Sequence, residues 1–202
     1  MIFMSNNTSA SMNLRMTVYV ALFTALIIIG GYISMPIPVG PVPIVLADFF
    51  VMVTGLFLGY KWGTMSVTLY LALGALGLPV FAGGKAGLAI LFGPTGGFLF
   101  GYFLVVFSIG LIAEKLEIPT KKGMLLKNLV ALIVGNVLLY LIGVQWLKVV
   151  LQTTWSAALV SGFVPFVAGI VIKIIAAVAL GQVLLPRFKQ TIIHATARNE
   201  EA

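Results

Sequence analysis

The chain of 202 residues contains no cysteine, one histidine and five acidic residues, and only 8% of it is charged. Without cysteine there are no disulfides, iron–sulfur clusters or thiolate metal sites. The lone histidine, His194, lies near the C-terminus, so the apolar part of the chain has neither a histidine-ligated zinc site nor a Ser-His pair. Asp48 is the only acid before Glu114, which rules out an aspartyl dyad among the first apolar runs. A GxxxxGK[ST] phosphate loop is missing too, so the chain does not hydrolyse ATP by that device. These absences point away from an enzyme and away from any cofactor or metal.

What is abundant is apolar side chain, at 61% of residues. A soluble domain carries about 25% charged residues. Twelve Lys plus Arg and five Asp plus Glu cannot cover a globule of this size with polar surface, so most of the surrounding solvent must be lipid. The net charge of +7 does not indicate nucleic acid, because the basic residues fall between apolar runs and form no patch.

A bilayer core takes about 20 residues of helix. Six apolar runs bounded by Gly, Pro or Lys qualify as spans: 16–35, 46–58, 62–78, 95–113, 127–146 and 165–185. Pro36, Pro38, Pro41 and Pro43 stop the first, since proline has no N–H to continue a helix. That run is longer than a signal-peptide core and reads as a true span. The second is short and turns into the third near Gly59, Lys61 and Gly63. Residues 1–13 and 190–202 read as polar tails. The expected fold is therefore all-α, a single integral membrane domain of six transmembrane helices in the cell membrane.

Lysine and arginine are enriched in cytoplasmic loops. With the N-terminus inside, nine of the twelve basic residues lie on the inner side, Lys85 and Lys148 lie outside, and Lys173 falls within the last span. Both termini are then cytoplasmic. Trp62 sits at the inner interface and Trp146 and Trp155 at the outer one.

Lys173 is the most informative residue. It lies about 12 Å below the outer end of its span at 1.5 Å per residue, farther than a lysine stem reaches by snorkelling. An ammonium there requires an anion, a wet cavity or carbonyls, and an anionic ligand entering from outside fits that requirement. The connection from Leu78 to Pro94, LPVFAGGKAGLAILFGP, is too apolar for a free loop and too rich in glycine for a plain helix. It is expected to fold back as a cap over a cavity, with Phe81 facing the substrate and Lys85 either completing a carboxylate site or standing as a solvated loop lysine. Asn136 and Tyr140, four apart on one helical face, either line a pocket or bond between helices. Asp48, near the outer end of the second span, is solvated or paired with an outer lysine. Ala21 and Ala25, Gly55 and Gly59, and Gly97 and Gly101 are small pairs at spacing four that permit close helix approach.

At these residues the sequence resembles a known family. The run LYLALGALGLPVFAGG from Leu69 to Gly84, then GPTGG from Gly93 to Gly97, with PVPI at Pro41 to Ile44, is similar to the BioY family. Its members are the biotin-binding S-components of energy-coupling factor (ECF) vitamin transporters, and the resemblance covers roughly residues 14–186. It implies an S-component that captures a vitamin from outside for ATP-driven uptake in a bacterial membrane. It also implies a membrane T-component and two cytoplasmic ATPases as partners. Ala21 and Ala25 match the AxxxA pattern by which such proteins dock on the T-component. Lys173 and Lys85 would hold the substrate carboxylate.

The chain departs from the family pattern in two places. Family members commonly carry an acid three residues before the last-span lysine, where this chain has Ile170, and a glutamine where it has Ala47. An unpaired ureido donor would cost about 1 to 3 kcal/mol, one or two decades of affinity. A ligand with a carboxylate, an aliphatic arm and an apolar sulfur ring, such as lipoate, is therefore an expected alternative to biotin. Two other classes remain open at this stage: a solitary secondary transporter of a small organic anion, and a structural membrane protein that carries nothing.

Overall fold

The computed structural model describes residues 4–116 and 120–200, and leaves out the side chains of 4–13, 189 and 191–200, so His194 lies outside the described side chains. Helix α1 spans Met4–Tyr32. Strands β1 (Ser34–Met35) and β2 (Ile44–Val45) pair antiparallel, with Ser34 opposite Val45. The proline-rich loop between them has no helix because its rings supply no donors.

Helix α2 is assigned over Ala47–Ala75 but is broken at Gly59, whose φ of 73° and ψ of −174° are not helical. Glycine adopts that left-handed φ without the Cβ penalty other residues incur. The break reverses the chain: a Cβ on Gly63 would lie 3.4 Å from the Thr54 carbonyl oxygen. A continuous helix would hold residues nine apart about 13 Å from one another. The two arms correspond to the second and third expected spans. The turn, however, uses Gly59 alone, and helix resumes before Lys61 and Gly63.

A cap follows, with a 3-10 turn at Ala82–Gly84 and the one-turn helix α3, Leu88–Leu91. Then come α4 (Gly96–Lys115), α5 (Lys121–Val150), α6 (Trp155–Gly162), a 3-10 turn at Val164–Phe166, and α7 (Val167–Glu200). Among the described residues, four segments are long and apolar enough to cross a membrane: Leu14–Tyr32, Gly96–Lys115, Lys121–Val150 and Trp155–Phe188.

Several boundaries differ from the sequence expectation, α5 among them, which runs Lys121–Val150 rather than 127–146. Helix α1 begins at Met4 rather than near residue 16, and α7 runs on to Glu200 through Pro186, where tails were expected. Adding residues to an existing helix avoids the cost of nucleation, so polar flanks extend a helix that the apolar run has started. Helix α6 was not foreseen. Its start is capped by the Thr154 side chain, which accepts from the Ala157 amide at 3.3 Å.

The α2–α4, α4–α5 and α1–α2 interfaces carry most of the packing, and α7 rests more lightly on α2 and α5. Small residues set the close approaches: Gly55 lies against Ile109, Gly97 against Trp146 and Gly101 against Leu139. Ala21 and Ala25 do not pack inside the chain. They lie on an exposed face of α1 with Val18, Leu22 and Ile29.

Candidate functional site

A cavity of about 190 Å³ lies beneath the cap. Its roof is Phe81, Ala82, Lys85, Ala89 and Ile90, and its floor includes Tyr70, Phe98 and Tyr102; Pro41, Val42 and Pro43 close one side. Several contacts fasten the cap. The Gly87 amide donates to the Gly74 carbonyl at 2.8 Å, and the Tyr32 hydroxyl donates to the Pro79 carbonyl. Phe81 and Lys85 form an isolated antiparallel bridge. Phe81 is buried and stacks edge-on against Tyr70, with centroids 5.5 Å apart. It sits directly over Gly74, where a Cβ would lie 2.0 Å from its Cζ. The apolar, glycine-rich connection is thus a folded lid, and both residues singled out on it, Phe81 and Lys85, line the cavity.

The far end of the cap is tied to α5. Trp146 Nε1 donates to the Gly93 carbonyl at 2.9 Å, and Gly93 lines the cavity while Trp146 does not. A neutral hydrogen bond contributes about 1 kcal/mol. Trp146→Phe should therefore leave the fold intact and speed ligand dissociation by about fivefold. Stopped-flow or filter-binding release rates would check this; an unchanged rate would mean that the roof does not depend on this tie.

Beside Tyr102 the cavity meets a smaller hollow of about 40 Å³, lined by Asp48, Tyr140, Phe98, Phe166 and Lys173. The two share Val42, Pro43, Val45, Phe98 and Tyr102. Here Lys173 has a partner that its position in the sequence did not reveal. Its Nζ donates to Asp48 Oδ1 at 2.7 Å, to Asp48 Oδ2 at 2.9 Å and to the Val45 carbonyl at 2.7 Å. Both side chains are largely buried, at 12% and 9% exposure. The ammonium is paired within the protein by an acid at the start of α2. Lys85 is the cation left on the cavity wall with no ion pair among the described residues, and it is exposed.

Asn136 takes the second of its two expected uses, a bond between helices. Its Nδ2 donates to the Leu132 carbonyl and to Met52 Sδ, both at 2.9 Å, so it bonds between α5 and α2. It lines a separate, almost wholly apolar groove between α5 and α7, together with Ile170 and Tyr140, and does not reach the cavity under the cap. Tyr140 borders both the groove and the small hollow.

Sequence reasoning missed Tyr70 and Tyr102. With Tyr140 they are buried, at 1%, 5% and 8% exposure, and they line these spaces. Among the described residues their hydroxyls make no hydrogen bond. A tyrosine deep in an apolar span is itself a signal, because a buried O–H ordinarily finds a partner.

This is a helical membrane protein with a lidded cavity that is apolar in the middle and polar at both ends, the form of a small-solute binding subunit. The chain belongs to the BioY family, whose model matches residues 4–190. It is 44% identical over 164 residues to the biotin transporter BioY of Thermotoga maritima, covering 81% of this chain and 92% of the relative. With a probable biotin transporter BioY of Pyrococcus horikoshii it shares 37% identity, over 81% and 91% of the two chains. A crystal structure of the S-component for biotin from an ECF-type ABC transporter superimposes with a TM-score of 0.77 at 35% identity, covering 85% of this chain and 91% of that one. These relatives are transporters or transporter components, not enzymes.

Proposed function

We propose that this chain is the biotin-binding S-component of an ECF transporter, crossing the cell membrane six times with both termini in the cytoplasm. One observation carries the reading: a mostly apolar cavity under a folded cap, with a cation at its rim and hydrogen-bonding groups at its inner end. Such a space suits an amphipathic carboxylate entering from the outer side. The chain binds and releases; ATP hydrolysis belongs to two cytoplasmic ATPases that act through a T-component. The exposed Ala21 and Ala25 face of α1 is the proposed docking surface for that T-component. Biotin is preferred to lipoate here because Asp48 brings a carboxylate to the wall of the small hollow although Ile170 does not.

In this assignment Lys85 takes the ligand carboxylate. It is solvent-exposed, and exposed ion pairs contribute about 1 kcal/mol at most. Lys85→Ala should thus weaken biotin binding to purified protein about fivefold, with the difference shrinking at high salt. An analogue with the carboxylate capped as an amide should bind wild type and variant alike. If wild-type protein binds no biotin by titration calorimetry, the assignment fails. If capped and uncapped ligands respond equally to Lys85→Ala, the carboxylate lies elsewhere.

A further inference from the structure

The groove between α5 and α7 lies on the side wall of the bundle, away from the cap. It has a volume of about 200 Å³ and is lined by Ile133, Val137, Tyr140, Phe163, Val171 and Ile174. Asn136 borders it too, but its amide is taken up by Met52 Sδ and the Leu132 carbonyl, so the lining is almost wholly apolar. Val137 and Val171 are half-exposed, and the groove opens toward lipid. Spread over the roughly 10 Å of α5 from Ile133 to Tyr140, that volume is a slot about 4–5 Å wide. A helix with its side chains is about 10–12 Å across and cannot enter. A single hydrocarbon chain can.

A cation stands above the slot. Two contacts fix the course of α6 beside α5: Tyr140 meets Phe163 edge-on with centroids 5.3 Å apart, and Lys148 Nζ lies 5.2 Å from the centre of the Trp155 ring. The second contact is about 12 Å farther toward the C-terminal end of α5 than the first. A ring face attracts an ammonium without cancelling its charge, and Lys148 has no ion pair among the described residues. From Lys148 to Ile133 the unbroken helix α5 falls about 22 Å. One leaflet of a bilayer, headgroups included, measures about 20–22 Å. Lys148 therefore stands at headgroup depth beside a tryptophan, the residue that marks that level, and the slot occupies the half of the leaflet nearest the midplane.

We infer that the α5–α7 groove is a binding site for one anionic phospholipid, with an acyl chain in the slot and the headgroup phosphate on Lys148. An anionic headgroup gains the full attraction of the ammonium, whereas the choline of a zwitterionic lipid brings a compensating cation. Helix α7 rests lightly on α5, and the acyl chain supplies the packing atoms that this seam lacks.

The test is native mass spectrometry of the full chain in detergent, with phosphatidylglycerol and phosphatidylcholine of identical acyl chains and with inorganic phosphate as competitor. Wild-type protein should retain phosphatidylglycerol about fivefold better than phosphatidylcholine, and inorganic phosphate should not displace it. Lys148→Gln should bring phosphatidylglycerol down to the phosphatidylcholine level. Val137→Trp fills the slot and should lower retention of both lipids severalfold, while Val130→Trp, exposed on the same helix but outside the groove, should lower neither. Thermal melting confirms folding, and if Val137→Trp fails to fold the Lys148→Gln comparison decides alone. Equal retention of the two lipids by wild-type protein, or a preference that Lys148→Gln leaves intact, overturns the inference and leaves adventitious annular lipid only. So does a dimer that Val137→Trp dissociates, because a second copy of the chain would then cover the groove.

Discussion

Gly110→Ala should remove most of the folded protein recovered in detergent, although it adds only one methyl group. Gly110, on α4, faces the break in α2, and a Cβ there would lie 2.2 Å from the Tyr60 amide nitrogen, 2.4 Å from the Gly59 carbonyl carbon and 2.6 Å from the Tyr60 Cα. All three are backbone atoms at a sharp reversal, so no rotamer change relieves the contact. Two effects oppose each other. Replacing a mid-helix glycine with alanine favours the helix by about 1 kcal/mol, while overpacking a filled interior costs about 1 to 3 kcal/mol, and more where backbone must move. The clash prevails because separating α4 from Tyr60 opens the most extensive interface in the bundle. Gly169→Ala is the control: its Cβ would meet nothing within 4 Å, so only the helix-favouring effect remains. Size-exclusion recovery and thermal melting should show Gly110→Ala strongly destabilised and Gly169→Ala unchanged or improved. Equal melting of the two variants would mean that the α2–α4 contact is looser than this geometry requires.

That interface also shows where the sequence could be read and where it could not. Apolar runs of bilayer length are a local signal, so α1, α4, α5 and α7 were recognisable from composition, as was a reversal between two short runs near Gly59. The cap was legible because LPVFAGGKAGLAILFGP fits neither a solvated loop nor a helix, and Lys173 because a charge in an apolar run requires a reason. The reason itself was not legible. Lys173 and Asp48 are 125 positions apart, and nothing local links the start of α2 to the first turns of α7. With its partner unseen, Lys173 was read as waiting for a ligand, and Ile170 as leaving no acid beside it. For Asn136 the sequence left two uses open, a pocket or a bond between helices, for a similar reason. Helical spacing places it on one face with Tyr140, but only the packing of α5 shows that its amide is taken up by Met52 and the Leu132 carbonyl. Helix ends eluded the sequence because hydropathy reports where a chain is apolar, whereas a helix can continue into polar residues once formed.

The pairing of Lys173 with Asp48 leads to the second large effect, one that can be read without any ligand. Asp48→Asn alone should destabilise the ligand-free protein by about 3–5 kcal/mol, because it leaves an ammonium buried with too few acceptors; Lys173→Met alone should do the same from the other side. Joining the two losses as Asp48→Leu with Lys173→Met should restore stability to the wild-type value or above, since a well-packed apolar pair avoids the desolvation penalty of two ions. A surface ion pair behaves differently: it contributes about 0–1 kcal/mol and fades with salt. At 12% and 9% exposure the pair lies nearer the buried limit, so the penalty should persist when ionic strength is raised. Thermal unfolding of the four proteins in one detergent, at low and high salt, completes the cycle. A large coupling that salt does not erode would establish the pair as an internal element of the bundle. Single variants that melt within about 1 kcal/mol of wild type would show that the ammonium reaches water, and would reopen its role as the partner of an incoming anion.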